Sequence, residues 1–297
     1  MSDTEEFRSG FVAVLGRPNV GKSTLVNAVC GQKVAITSDK PQTTRNQIRG
    51  IVTTDSFQMI LIDTPGIHKP HTALGTRLNQ TSTEATSGVE VVWHVVDGAG
   101  GIGKGDVFVA DRLPKSAKRF LVVNKADRMP TARMLAQLAS AESELPPYDE
   151  YVPISARRGN GVQTLVDLTL DELPPGPAYY PDDEVTDQEG AFMVAELVRE
   201  QLLARTRDEL PHSIAVVTDE FFQREDGLLQ ALVTIYVERE SQKGIVIGKQ
   251  GTVLREAGTA ARLEMEDIFG ARVFLKTRVR LERSWPRRQA LIDRMGY

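Results

Sequence analysis

The residue spacing with the clearest chemical meaning lies near the start of the chain, in the segment 16–23. It reads Gly-Arg-Pro-Asn-Val-Gly-Lys-Ser, which fits G-x-x-x-x-G-K-[ST]. The apolar run 11–15 precedes it and a helical pattern, 24–30, follows it, which is the context that a phosphate-binding loop needs. In such a loop backbone N–H groups surround phosphate oxygens, Lys22 reaches the β- and γ-phosphates, and Ser23 ligates Mg²⁺. The sequence therefore predicts a nucleoside triphosphate site.

Three later segments choose the base and complete the site. Asp63-Thr-Pro-Gly66 follows the apolar run 57–62, and an Asp at such a strand end accompanies Mg²⁺. Asn124-Lys-Ala-Asp127 resembles the guanine-reading element of Ras-like GTPases, because a carboxylate accepts parallel hydrogen bonds from guanine N1–H and its 2-amino group. Ser155-Ala-Arg157 resembles the loop that closes over the base. The predicted nucleotide-binding residues are Gly16, Arg17, Pro18, Asn19, Val20, Gly21, Lys22, Ser23, Thr24, Asp63, Thr64, Pro65, Gly66, Asn124, Lys125, Asp127, Ser155, Ala156 and Arg157.

Two polar segments without periodicity are expected to act as switches. Residues 33–49 should form switch I, and residues from 63 to about 78 should form switch II. A switch I threonine should ligate Mg²⁺, and we favour Thr44, although spacing leaves Thr43 open. Gly66 should donate its N–H to the γ-phosphate. The predicted catalytic residues are Lys22, Thr44, Asp63 and Gly66, and the predicted Mg²⁺ ligands are Ser23, Thr43, Thr44 and Asp63.

The residue after Gly66 predicts slow hydrolysis. Ras-type enzymes place a glutamine there to orient the attacking water, whereas this chain has Ile67. Asn19 matches a position that resembles the potassium-ligating asparagine of related GTPases. We therefore expect a slow intrinsic rate that K⁺ stimulates, with simple capping of the loop as the alternative role for Asn19.

Composition is that of a globular protein with a weakly acidic balance. The chain has 297 residues and a net charge of −4. Its single cysteine, Cys30, excludes an internal disulfide and a Cys-rich metal site. The N-terminus is acidic and lacks the apolar core of a secretion signal, so we expect a cytoplasmic protein. Composition leaves open an association with a membrane surface.

A proline-rich and acidic stretch predicts a domain boundary. Strands and helices alternate up to about residue 173, the pattern of a doubly wound parallel sheet. Pro174-Pro-Gly-Pro177 follows, and then a segment with five acidic residues and no basic one. The predicted limits are residues 1–175 for a GTPase domain, 176–190 for a linker and 191–297 for a second domain.

The second domain carries a GxxG loop, Gly248-Lys-Gln-Gly251. A helical pattern (191–206) and two strand patterns (213–219 and 229–237) precede it, and a helix (252–269), a strand (273–281) and a short helix (287–295) follow. This order resembles a type II KH domain, in which the glycines let an RNA backbone come close. A basic C-terminal stretch, with eight Lys/Arg in 272–297, agrees with an RNA partner. The predicted RNA-binding residues are Lys243, Ile245, Ile247, Gly248, Lys249, Gln250, Gly251, Arg278 and Arg280.

Together these features resemble the bacterial Era family, along nearly the whole chain. The segments that carry the resemblance beyond the general motifs are Gln42–Arg45, Asp63–Pro70, Tyr180–Asp187, Pro211–Ser213, Trp285 and Gly296–Tyr297. The resemblance implies an α/β doubly wound P-loop GTPase domain followed by an α+β type II KH domain. It also implies GTP/GDP and Mg²⁺ as cofactors, the 3′ end of 16S rRNA and the small ribosomal subunit as partners, and a role in 16S rRNA processing and 30S biogenesis. Peripheral contact with the cytoplasmic membrane and a monomeric state are further expectations.

The chain departs from the family pattern at two positions. The last strand of the family often carries a tryptophan where this chain has Arg278, and Pro286 follows Trp285. Two other interpretations of the whole chain stay open from sequence. One is a signalling GTPase whose second domain binds protein or anionic lipid, and the other is an RNA-binding protein with a structural nucleotide.

Overall fold

The structure, a computed structural model, describes residues 6–70, 72–206 and 210–297, without the side chains of Pro211 and His212. The chain divides into two compact units. Unit 1 comprises Met1–Thr37, Thr44–Pro70 and Arg77–Asp187, and unit 2 comprises Ser38–Thr43, His71–Thr76 and Gln188–Tyr297. Most of the acidic N-terminal stretch lies outside the described residues.

Unit 1 is built around a six-stranded sheet in the order β2-β3-β1-β4-β5-β6, in which only β2 runs antiparallel to its neighbour. Helices and loops connect the parallel strands, as a doubly wound sheet requires. Its elements are β1 (Arg8–Leu15), α1 (Lys22–Cys30), β2 (Ile48–Thr53), β3 (Phe57–Asp63), α2 (Ala73–Glu84), β4 (Val91–Asp97), α3 (Lys104–Ala110), β5 (Lys118–Asn124), a 3₁₀ turn (Ala126–Arg128), α4 (Thr131–Glu144), β6 (Glu150–Pro153) and α5 (Val162–Glu172).

The central strands of this sheet are apolar on both faces because helices or loops cover both of them. In β4 every residue from Val91 to Val96 is buried. Trp93 is fully buried, and its indole N–H donates to Thr169 Oγ1 at 3.0 Å. The parallel strands therefore deliver their carboxyl ends, and the loops that follow them, to one edge of the sheet.

The acidic segment after α5 packs on unit 1 as far as Asp187. Gln58 is fully buried and its Oε1 accepts the N–H groups of Tyr179 and Tyr180 at 2.7 and 2.9 Å. Asp187 forms an ion pair with Arg49 at 2.5 Å. The stretch that the sequence suggests as a linker is thus held by side chains of the unit before it, for most of its length.

Unit 2 is an α+β layer structure with a three-stranded sheet in the order β7-β8-β9. Strand β8 runs antiparallel to β7 and parallel to β9. Its elements are α6 (Gly190–Arg205), α7 (Leu210–Ser213), β7 (Ile214–Gln223), β8 (Leu229–Val237), α8 (Glu240–Ile247), a 3₁₀ turn (Lys249–Gly251), α9 (Thr252–Phe269), β9 (Val273–Leu281), a 3₁₀ turn (Trp285–Arg287) and α10 (Gln289–Arg294).

One face of this second sheet lies against helices, because alternate residues of β8 and β9 are mostly apolar. Ala231, Val233, Ile235 and Val237 pack with buried residues of the helices. Trp285 is fully buried and donates its indole N–H to the carbonyl of Ser213 at 2.9 Å. The apolar run 244–247 forms the end of a helix, α8, which the sequence pattern leaves unassigned because four residues show no period.

None of the helices in the described part of the chain has the length and the apolar character that crossing a bilayer would demand.

Candidate functional site

The phosphate-binding loop connects β1 to α1, as predicted. Gly16 has φ 155° and a Cβ there would lie 2.3 Å from the carbonyl oxygen of Val95, so a side chain does not fit. Lys22 is 6% exposed and its Nζ donates to the carbonyls of Gly16 (3.3 Å) and Arg17 (3.1 Å). Burial lowers the pKa of Lys22 to about 8, while the charge of Asp63 opposes the shift. The ammonium is therefore a poorly solvated cation that lies within the loop and is available to phosphate.

Three side-chain oxygens meet beside this loop. Ser23 Oγ donates to Asp63 Oδ2 at 2.6 Å, and Thr44 Oγ1 donates to the same oxygen at 3.1 Å. The two hydroxyl oxygens lie 2.8 Å apart. The other carboxylate oxygen, Asp63 Oδ1, is buried and has no hydrogen-bond partner among the described residues. Burial raises the pKa of Asp63, against the charge of Lys22 and its hydrogen bonds. A buried carboxylate with two hydroxyls and a spare oxygen is a donor set that suits a hard cation such as Mg²⁺.

The two switch I threonines have different surroundings. Thr43 Oγ1 donates to the carbonyl of Lys40 at 2.7 Å, within its own loop. Only the Thr44 hydroxyl joins Ser23 and Asp63. The geometry thus separates two residues that spacing alone leaves equivalent.

The start of switch II lies directly on the phosphate-binding loop. A Cβ on Gly66 would lie 2.5 Å from the backbone nitrogen of Pro18, and Ile67 N donates to the carbonyl of Gly16 at 3.1 Å. Ile67 is 3% exposed and belongs to the core. Thr64 Oγ1 donates to the carbonyl of Val14 at 2.8 Å. The residue after Gly66 is therefore structural, and its side chain offers no polar atom to a water.

The guanine-reading residues gather around a cleft of ≈ 110 Å³ at the ends of β5 and β6. Asn124 Nδ2 donates to the carbonyl of Val20 at 2.9 Å, and its Oδ1 accepts Ala156 N–H at 3.0 Å. Ser155 Oγ donates to Asp127 Oδ1 at 2.7 Å, and this bond is the main cause that lowers the pKa of Asp127. Asp127 is thus held as a carboxylate, the form that accepts two guanine N–H groups. Thr24, Arg128 and Arg157 also line the cleft.

Two acidic side chains that lie outside the sequence motifs support the site. Lys125 Nζ donates to Asp97 Oδ2 at 2.6 Å and to the carbonyl of Asn19 at 2.7 Å, so it ties the base-reading element to the phosphate-binding loop. Arg17 Nε donates to Asp106 Oδ1 at 2.7 Å. Asp97 ends an apolar strand, which is a usable sequence signal, whereas nothing local marks Asp106 as a partner of Arg17.

The GxxG loop of unit 2 joins α8 to α9. Gly248 and Gly251 have φ of 74° and 75°, and Gln250 between them has φ 53°. A Cβ on Gly248 would lie 2.8 Å from the backbone nitrogen of Val253. Ile245, one turn before the loop, is 56% exposed. An exposed apolar side chain beside a backbone that lacks side chains can admit a base and a phosphate together.

The structure does not bring all of the predicted RNA-binding residues together. Arg278 and Arg280 alternate with Val279 and Leu281, which pack against the core, so their side chains lie on the other face of the sheet from the helices. There Arg278 forms an ion pair with Asp219 at 3.3 Å. Residues 243–251 form one group on the helical side, and the two arginines belong to a separate surface.

Comparison with known proteins identifies both units. Residues 11–125 match the family model of "50S ribosome-binding GTPase", and residues 209–286 match that of the KH domain. The chain is 48% identical to GTPase Era of Mycolicibacterium smegmatis over 297 residues, which cover 98% of this chain and 99% of that protein. The chain belongs to the Era family of GTPases. GTPase Era of Mycobacterium sp. strain JLS is 49% identical, with the same coverage.

Solved Era structures have the same fold over nearly the whole chain. A crystal structure of an Aquifex aeolicus Era variant bound to GDP·AlF4⁻ superposes with a TM-score of 0.94 at 35% identity, covering 98% of this chain and 99% of that one. A structure of Era with MgGDPNP and nucleotides 1506–1542 of 16S ribosomal RNA gives 0.95 at 35% identity, with the same coverage. These matches confirm the predicted fold class and the GTPase activity of this Era family member.

Proposed function

We propose that this protein is a GTP-dependent RNA-binding factor that binds the 3′ end of 16S rRNA and acts in its processing and in assembly of the small ribosomal subunit. The observation that carries the proposal is the GxxG loop of unit 2, with positive φ at three of its four positions and an exposed isoleucine beside it. The Era relative crystallised with nucleotides 1506–1542 of 16S rRNA supports this choice of RNA. We place the protein in the cytoplasm, as a monomer, with a fraction in peripheral contact with the membrane.

The GTPase site divides its work among residues of unit 1. Lys22 and the N–H groups of the loop around it neutralise the phosphates, and Gly66 N–H meets the γ-phosphate. Asp127 reads guanine, with Ser155 fixing the carboxylate by its 2.7 Å hydrogen bond. We assign GTP hydrolysis to residues 1–175 and RNA binding to 191–297, with 176–190 as the connection.

Ser23, Thr44 and Asp63 fit a Mg²⁺ ion. The Asp63 oxygen without a partner and the two hydroxyls within 3.1 Å of the other oxygen provide the oxygen donors. Bound Mg²⁺ would supply positive charge to the phosphate oxygens. The Thr43 hydroxyl donates to the carbonyl of Lys40, so we assign the switch I ligand to Thr44.

GTP hydrolysis requires a group that promotes attack by water, and the residue after Gly66 does not provide one. Ile67 is buried and apolar, so no side chain at that position orients a water. We assign this help in part to a K⁺ ion held by Asn19, whose carbonyl and positive φ of 64° are fixed in the phosphate-binding loop. A monovalent cation there would add positive charge beside the phosphates.

Two measurements test the potassium assignment. Turnover of GTP is compared in K⁺ and Na⁺ buffers of equal ionic strength, for the wild type and for Asn19→Ala. We expect a faster rate in K⁺ that the variant loses while it keeps GDP affinity. Equal wild-type rates in both salts would remove the K⁺ site and leave the GTPase assignment intact.

Binding of labelled RNA tests the main proposal. The probe is RNA of nucleotides 1506–1542, titrated with GTP-analogue-loaded or GDP-loaded protein. We expect tight binding, stronger in the GTP-like state, that Gly248→Asp removes and Lys249→Ala weakens. Leu263→Ala is a matched control, because Leu263 is 55% exposed on α9, away from the loop. Absence of binding by the wild type in both states would overturn the RNA assignment.

A further inference from the structure

The outer face of the second sheet, opposite the helices, carries exposed aromatic rings in register. Phe222 of β7 and Phe274 of β9 both pair with Gln230 of the central strand, so the two rings flank it in one row. Each phenylalanine is 47% exposed. Because neighbouring strands lie about 4.8 Å apart, the two backbone positions are ~10 Å apart. We call this surface, with the cations described next, the outer sheet face.

Cations continue the pattern along β9. Lys276, Arg278 and Arg280 follow Phe274 at every second position and therefore share its face. Arg278 is paired with Asp219 at 3.3 Å, whereas Lys276 and Arg280 pair with no carboxylate among the described residues. Arg224 stacks over Phe274, with 5.3 Å from its guanidinium carbon to the ring centroid. The face also carries Glu220, which like Lys276 pairs with Leu232 of the central strand. Four cations against Asp219 and Glu220 leave it net positive beside flat apolar rings.

This combination matches a single-stranded polynucleotide better than a protein surface. Bases of any sequence stack on exposed aromatic rings of a sheet, and cations beside the rings bind the phosphates. A protein partner would need acidic and apolar groups in one fixed arrangement, which a flat sheet face does not select. Strand β9 is one of the two edge strands, and α8, which leads into the GxxG loop, packs against it. An RNA strand bound at that loop can therefore pass over the β9 edge to the outer sheet face.

The geometry points to a second RNA-binding surface on the outer sheet face, where Phe222 and Phe274 stack bases and Lys276 and Arg280 bind phosphates of single-stranded RNA. It deepens the proposed function and rests on it, since the same RNA strand would occupy the GxxG loop. The loop clamps about four nucleotides, so nucleotides beyond them occupy the outer sheet face. Arg278 forms an ion pair with Asp219, and its partly exposed guanidinium adds to the positive charge of this surface.

The test compares RNAs of increasing length with the full chain. The short RNA has about four nucleotides, the length that the GxxG loop clamps, and the long RNA is nucleotides 1506–1542. We expect the wild type, measured by fluorescence anisotropy, to bind the long RNA more tightly than the short one. Phe222→Ala and Phe274→Ala should each reduce affinity for the long RNA by about 5- to 150-fold and leave affinity for the short RNA unchanged. Leu263→Ala removes a comparably exposed apolar side chain and serves as control.

A charge variant provides an independent readout. Lys276→Ala should lower the slope of log affinity against log salt by about 0.7 for each phosphate that the protein no longer neutralises. Lys115→Ala, an exposed lysine of unit 1, should not change that slope. Far-ultraviolet circular dichroism of every variant verifies that the fold is kept.

The outcomes separate this inference from the proposed function. Long-RNA affinity that is equal in the wild type, Phe222→Ala and Phe274→Ala overturns the second surface and leaves the GxxG assignment in place. A wild type that binds neither RNA overturns both. If the phenylalanine variants lose the higher affinity for the long RNA, and Gly248→Asp abolishes binding of both RNAs, the second surface and the GxxG assignment are both supported.

Discussion

Removing one hydroxyl from switch I tests how the metal site is built. Thr44 Oγ1 lies 2.8 Å from Ser23 Oγ and 3.1 Å from Asp63 Oδ2, while Thr43 Oγ1 bonds to the carbonyl of Lys40 at 2.7 Å. The two threonines are neighbours with the same side chain. Thr44→Ala and Thr43→Ala therefore form a matched pair that differs only in the partners of the oxygen that is removed.

The expected magnitudes follow from these hydrogen bonds. Without nucleotide, Thr44→Ala removes one hydrogen bond to a buried carboxylate, which contributes about 1.5–3 kcal/mol to stability. With GTP bound, it removes an oxygen from the site that holds the metal against the γ-phosphate, and losing one group that stabilises developing charge lowers kcat by about 10²–10³-fold. GDP lacks the γ-phosphate that orders switch I, so GDP affinity should change by less than about twofold. Thr43→Ala should keep kcat within about threefold, because it removes only a hydrogen bond inside the loop.

The assay is single-turnover GTP hydrolysis at saturating Mg²⁺, with GDP affinity measured by titration of a fluorescent analogue. A Mg²⁺ titration of each variant separates weaker metal binding from slower chemistry. Equal losses of kcat in the two variants, or a loss confined to Thr43→Ala, would refute the assignment of Thr44 as the ligand.

Three further substitutions test other parts of unit 1. Asp127→Asn removes the carboxylate that we assign to two guanine N–H groups, so GTP affinity in a nucleotide titration should fall at least ~100-fold; a loss below about tenfold would contradict this role. Burial lowers the pKa of His94 from 6.5 to about 3, so protonating this side chain costs more in the folded state than in the unfolded state. The free energy of unfolding should therefore decrease as pH falls below 6.5, by about 2 kcal/mol at pH 5. Urea unfolding of His94→Phe should lack this dependence. Gln58→Ala leaves the N–H groups of Tyr179 and Tyr180 without their buried acceptor and should cost about 2–4 kcal/mol in urea unfolding, and a cost under about 0.5 kcal/mol would show that water replaces it.

The GTP motifs were readable from sequence because each follows an apolar strand. Parallel strands bring their carboxyl ends to one edge, so Asp63 and Asn124, far apart in the chain, could be placed in one site from their strand positions alone. The alternation in β8 and β9 likewise predicted which residues face the core. Both patterns are local in sequence, and local patterns predict secondary structure and which face of an element is buried.

Other features needed the tertiary structure. Arg17 and Asp106 pair across 89 residues of sequence, and no spacing rule connects a phosphate-loop arginine to a carboxylate near the start of α3. Gln58 lies in an apolar strand, and its role in holding residues 179–180 depends on where the chain returns after α5. The sequence groups Arg278 and Arg280 with the GxxG loop as RNA-binding residues, because the alternation in β9 shows which residues face the core but not on which side of the sheet the loop lies.

The positions of the two tryptophans give the protein a spectroscopic property. The chain contains two. Trp93 lies in the core of unit 1 and Trp285 in unit 2, and both are fully buried. The fluorescence of each ring therefore reports on the opening of its own unit. Trp93→Phe and Trp285→Phe each leave a single emitter, and coincident denaturation curves would show that the chain unfolds in one cooperative step, whereas separated curves would give each unit its own stability.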